Sequence, residues 1–115
     1  MSTDTCSLLA DKECVPCKGG VPPLAGEELH NLHAELGHDW QLIEDHHIEK
    51  EFKFPNFVDA LAFTNAVGAI AEEQNHHPDI LTAWGKVKVT VWSHKAKGLT
   101  EADFVFAAKC EKVVA

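Results

Sequence analysis

His76 and His77 stand side by side in Glu72-Glu73-Gln74-Asn75-His76-His77-Pro78, at the end of a run with helical periodicity. His94 closes a strand-like run further on, and Asp103 opens what reads as the last helix. Imidazole is the side chain best matched to moving protons near neutral pH. Three imidazoles with carboxylates at Glu72 and Asp103, and no matching set of metal ligands or activated nucleophile beside them, point to acid–base chemistry. Glu72 and His76 are four positions apart, so a continuing helix sets them on one face, and Glu73 and His77 repeat the spacing. A carboxylate placed that way fixes an imidazole's tautomer and favours its charged form. The plainer reading is a helix end, where histidines are welcome and Glu–His pairs decorate a surface.

The elements that must position these residues can be read from periodicity. Leu29, Leu32 and Leu36 recur at helical spacing over Gly26 to Leu36, with Gly37 as the stop. Trp40 to Phe54 reads as a hairpin turned at Asp45. Trp40 and Leu42 share a face of its first strand. Ile48, Phe52 and Phe54 share a face of the second, while Glu49, Glu51 and Lys53 point away. Asn56 caps a helix of about five turns with Asp59 in its first turn, and Val58, Leu61, Ala62, Phe63, Val67 and Ile70 form its apolar face. Pro78 ends that run, and His77 before it is biased away from helical geometry.

A second hairpin runs from Ile80 to Trp84, turns at Gly85-Lys86, and returns from Val87 to His94. Val87, Val89 and Val91 take one face. Lys88, Thr90, Trp92 and His94 take the other, which frees His94 to reach a cleft. Thr100-Glu101-Ala102-Asp103 reads as an N-cap with an acid at N3, stapled by Leu99 and Phe104, opening a helix to about Val113. The order α-β-β-α-β-β-α predicts an α+β fold, a four-stranded antiparallel sheet with helices packed on one face. Residues 1–23, with Cys14-Val15-Pro16-Cys17 and a run of glycine and proline, read as an irregular N-terminal arm, and 24–115 as a single domain.

The totals exclude several functions. The chain has 115 residues, enough for one core. A net charge of −8 argues against a nucleic-acid partner or an anionic membrane surface. No apolar run approaches the ~20 residues of a membrane span, and no secretory signal opens the chain. The four cysteines are then most simply thiols in a cytoplasmic setting.

Taken together, Glu72, His76, His77, Pro78, Trp84, His94 and Asp103 resemble the signature of the pterin-4a-carbinolamine dehydratases. That signature runs from an acidic or polar residue through His, His or Asn, and Pro or a small residue to an aromatic, His or Trp, and Asp. All seven positions fit, and the hairpins, the helix from Asn56 and the Gly98-Leu99-Thr100-Glu101-Ala102-Asp103-Phe104 segment are also similar to the family. The resemblance covers roughly Leu24 to Val113, and the Cys-x-x-Cys arm looks like an extension found in some members. It implies a hydro-lyase that removes water from a 4a-hydroxytetrahydropterin to give a quinonoid dihydropterin, in tetrahydrobiopterin recycling after an aromatic amino-acid hydroxylase. It implies His76, His77 and His94 as active-site residues, with His76 and His94 as the acid–base pair and His77 close to the reacting carbon. Glu72, Pro78, Trp84 and Asp103 complete the implied substrate site, with Glu72 orienting His76 or hydrogen-bonding the pterin. Asp103 supports the site or serves only as a capping acid. No metal or organic cofactor is implied, pterin being the substrate, and self-association as a dimer or tetramer is.

Two other readings compete. Cys14-x-x-Cys17 has zinc-ligand spacing, but no second close pair follows, and Cys6 and Cys110 do not supply one. His46 and His47 open a strand, where neighbours point to opposite faces, so they are expected not to share an ion. A disulfide or plain packing in the arm accounts for the cysteines better. The second is a binding role on the same fold. Animal members of the family double as dimerisation cofactors, and so as transcriptional coactivators, for a homeodomain transcription factor.

Overall fold

The computed structural model describes residues 22–114. The Cys14–Cys17 pair and Cys6 lie outside the described residues. The periodic segments become helix α1 (Gly26–Leu36), strands β1 (Gln41–Ile43) and β2 (His47–Lys53), helix α2 (Phe57–Gln74), strands β3 (Asp79–Ala83) and β4 (Lys86–Val91), and helix α3 (Glu101–Val114). The fold is α+β in the expected order, with one antiparallel sheet arranged β1-β2-β4-β3. The two hairpins join through β2 and β4, where Ile48 faces Val91 and Phe52 faces Val87.

Strand parity decides what is inside. Val87, Val89 and Val91 are fully buried, as are Ile48 and, on α2, Val67, while Lys86, Lys88 and Thr90 turn outward. Lys50 shares the inner face of β2 without being apolar. Its ammonium lies 4.7 Å over the Phe52 ring and 2.8 Å from the Glu111 carboxylate, which also accepts from Trp40 Nε1–H at 2.9 Å. That cluster stitches the end of α3 to the sheet. Helix α3 is buried without interruption from Ala102 to Ala108 and packs against both α1 and α2. It is the centre of the core rather than a lid on it.

Three details depart from the sequence reading, each for a local reason. Helix α2 stops at Gln74, because Asn75 takes the left-handed conformation (φ 51°, ψ 45°) and the His76 N–H returns to the Ala71 carbonyl at 3.1 Å. This is a Schellman-type ending, which asparagine adopts at little cost. Strand β4 ends at Val91 rather than His94. Beyond it the neighbours run out, since β2 pairs up to Ile48–Val91 and β3 only to Asp79–Thr90. The chain then folds into a four-residue turn closed by Ser93 and Gly98, with Ser93 N–H to the Gly98 carbonyl at 2.8 Å. A side chain at Gly98 would come within 2.7 Å of Pro23, which packs there while Leu24 N–H bonds the Leu99 carbonyl.

The third departure concerns His46 and His47. They do not diverge: their Nδ1 atoms are 3.1 Å apart. Glu44 and Asp45 both take positive φ, and His46 closes the turn by donating N–H to the Ile43 carbonyl at 2.9 Å. His46 therefore belongs to the turn, and the alternation of a strand does not apply to it.

Candidate active site

The ending of α2 aims the histidine pair. A continuing helix would put Glu72 beside His76. The left-handed step at Asn75 instead brings His77 back to Glu72, with Nε2 2.6 Å from Oε2, and turns His76 inward. The His76 Nε2 lies 2.6 Å from Asp103 Oδ1, on the first turn of α3. The expectation that Glu72 orients His76 is thus corrected: Glu72 serves His77, and Asp103 serves His76. The first pair is largely exposed. The second is enclosed, with the Asp103 side chain at 0% exposure and that of His76 at 15%.

Asp103 holds its place through its other oxygen. Oδ2 accepts the Thr100 N–H at 2.8 Å and the Ser93 hydroxyl at 2.9 Å. The first bond is the acid-to-N-cap arm of the predicted capping box. One oxygen of Asp103 thus caps α3 and the other contacts His76. A carboxylate surrounded by donors is acceptor-only, so His76 presents Nε2–H to it and keeps Nδ1 for any ligand. The Phe106 ring, 5.9 Å from the imidazole, backs it from α3.

His94 comes from the turn after β4. Parity survives the end of the strand, with Ser93 buried and His94 exposed. His94 stacks on Trp92, ring centroids 4.0 Å apart and planes within 25°. His76, His77 and His94 line one cavity of about 400 Å³, together with Asn75, Trp92, Ser93 and Lys95. The structure brings the three histidines together and sets Glu72 and Asp103 behind them. It does not bring Trp84 there. Trp84 is 71% exposed in the turn at the opposite end of the β3–β4 hairpin. Pro78 is half-buried and links His77 to β3, outside the cavity wall.

Sequence reasoning missed Ser93, Asn75 and Lys95. Ser93 carried a signal, because it continues the inward register of Val87, Val89 and Val91, and a hydroxyl at a buried position needs a partner. Among the described residues, no three or more His, Cys, Asp or Glu side chains converge in a way that would hold a metal ion. None of the described helices is long and apolar enough to cross a membrane. The arrangement gives a ligand two differently supported imidazoles, one backed by a buried carboxylate and one by an aromatic ring, with a third at the rim.

Fold and site define a small α+β protein with an imidazole-lined cleft at one end of an antiparallel sheet. A model of the family described as pterin 4 alpha carbinolamine dehydratase matches residues 22–113. A Rubrobacter xylanophilus protein named "putative pterin-4-alpha-carbinolamine dehydratase" is 58% identical over 107 residues, covering 93% of this chain and 99% of that one. An Alkaliphilus metalliredigens protein of the same name is 53% identical over 104 residues, 90% of this chain and 94% of that one. Among solved structures, a transcriptional coactivator/pterin dehydratase from Brucella melitensis aligns with a TM-score of 0.75 at 30% identity, covering 81% of this chain and 99% of that one. A pterin dehydratase-like protein described as a RuBisCO assembly factor in the alpha-carboxysome aligns with a TM-score of 0.59 at 26% identity, covering 70% of this chain and 94% of that one. The chain belongs to the pterin-4-alpha-carbinolamine dehydratase family.

Proposed function

We propose that the chain dehydrates a 4a-hydroxytetrahydropterin to the quinonoid dihydropterin and water by histidine acid–base catalysis. The observation that carries this reading is the gathering of His76, His77 and His94 on one cavity wall, with His76 anchored by buried Asp103. The reaction needs a proton delivered to the departing 4a hydroxyl and a proton taken from a ring N–H, so one imidazole acts in each direction. His76 and His94 are assigned that pair, and His77, tied to Glu72, binds near the reacting carbon. The proton balance closes without metal or organic cofactor: one proton leaves the ring nitrogen, one joins the hydroxyl, and water departs. The setting we assign is cytoplasmic recycling of tetrahydrobiopterin beside an aromatic amino-acid hydroxylase, by a self-associated dimer or tetramer.

Stopped-flow absorbance of a freshly generated 4a-hydroxytetrahydropterin tests this. The wild-type protein is expected to speed decay of the adduct. The His76→Ala, His94→Ala double variant is expected to lose about 10²–10⁴-fold or more of that acceleration. No acceleration by a folded wild-type protein would sink the enzyme reading. A protein-binding role is the second reading, favoured by the apolar side chains that Val58 and Leu61 leave on the outer side of α2. The double variant separates the two, since partner binding through α2 would survive it.

A further inference from the structure

We propose that His46 and Trp92 are positioning residues that set the plane of the His94 imidazole at the cavity wall. The kinetic consequence rests on the dehydratase reading above, while the geometric claim does not. The cavity's three imidazoles are supported unequally. His76 has Asp103 and His77 has Glu72, each at 2.6 Å. His94 has no carboxylate among the described residues and sits exposed on a tight turn, where an imidazole rotates freely unless something holds it. What holds it is the stack on Trp92, at 4.0 Å and 25°.

Trp92 in turn lies between the last paired residue of β4 and the Ser93–Gly98 bridge, so its backbone is held on either side while its indole needs a neighbour of its own. His46 reaches its indole from across the sheet, from the β1–β2 turn, with ring centroids 4.3 Å apart and planes at 46°. His46 is itself fixed. At 3.1 Å, the two Nδ1 atoms of His46 and His47 share one hydrogen, so one donates and the other accepts. The His47 Nε2 faces Glu49 Oε1 at 3.5 Å, which favours a hydrogen on Nε2 and leaves His47 Nδ1 as the acceptor. His46 Nδ1–H is then the donor. A row of contacts runs from Glu49 through His47, His46 and Trp92 to His94. It ends on the one cavity imidazole that lacks a carboxylate.

His46 does not line the cavity, so its replacement separates orientation from binding. The experiment compares wild type with His46→Ala and His46→Phe, the second keeping a flat ring without nitrogens; His46→Asn stands in for the alanine variant if that one does not fold. Two quantities are read: kcat and KM for the 4a-hydroxytetrahydropterin, and the His94 ring-proton shifts by NMR, assigned by their loss in His94→Gln. In wild type, stacking on the indole shifts the His94 ring protons upfield. His46→Ala is expected to move those shifts toward the unstacked value and to lower kcat by about 10-fold with KM within about 2-fold, as misplacement of an acid–base group does. His46→Phe, which keeps a ring against Trp92 but loses the bond to His47, is expected to restore part of both. Unchanged His94 shifts in His46→Ala would overturn the proposal, and so would a rise in KM with kcat intact. A wild-type protein that fails to accelerate the reaction sinks the dehydratase reading instead, and the NMR arm alone then decides the geometry.

Discussion

A single carboxylate joins the site to the core. Asp103 has one oxygen on His76 and the other on Ser93 and Thr100, with no exposure to solvent. Replacing it by alanine strands the Thr100 N–H and leaves the buried Ser93 hydroxyl only its bond to the Thr100 hydroxyl at 2.9 Å. Asp103→Ala is expected to cost about 3 kcal/mol of stability, read by urea denaturation. Asp103→Asn keeps the shape but replaces the charged acceptor beside His76, so its rate constant should fall proportionally further than its stability. Glu72 provides the contrast. Its pair with His77 is open to water, so Glu72→Gln should move the melting temperature by no more than about 2 °C. Much of this was legible in the sequence: His76, His77 and His94 could be singled out by type and spacing, and Asp103 by its place in a capping box. Which acid serves which imidazole was not, because that pairing depends on where α2 stops.

At the scale of the element, that stop is set by Asn75. The run from Asn56 to Pro78 reads as one continuous helix by periodicity, and only proline signals its end. The left-handed residue sits three positions before the proline, and asparagine is a weaker signal than glycine would have been. Asn75→Gly is expected to be tolerated. Asn75→Val, with a branched side chain at positive φ, should cost about 1–2 kcal/mol in chemical denaturation. It should also lower activity, because the same step aims both histidines. The end of β4 was hidden for a different reason. Alternation continues through Ser93 and His94, so a one-chain pattern cannot report that the partner strands have run out. Both hairpins were legible because each has one apolar side whose period matches its geometry. The helices were legible by their caps and length, but not the buried side of α2, where Phe63 and Val67 are inside while Val58, Leu61 and Ala62 of the expected apolar face are exposed.

At the scale of the whole molecule, the sheet has two open edges among the described residues, β1 and β3; Leu81 and Trp84 are exposed on the β3–β4 hairpin, and Val58 and Leu61 on α2. Composition hinted at none of this, since 45% hydrophobic residues are compatible with any buried arrangement. Trp84, which the sequence motif groups with the histidines, belongs instead to this exposed surface. If copies join edge to edge along β3, Leu81→Lys should shift sedimentation toward the monomer while far-ultraviolet circular dichroism stays unchanged. An unchanged sedimentation coefficient would exclude that edge as the joint.

The position of α3 also bears on how the protein is made. It is the last of the described elements to leave a ribosome, it supplies the middle of the core, and it carries the carboxylate that His76 depends on. A nascent chain halted before Glu101 already holds His76, His77 and His94, yet His76 has nothing to orient it. Synthesis therefore delivers the three imidazoles before the carboxylate that His76 is bonded to, so that the cleft takes its final geometry only as folding is completed.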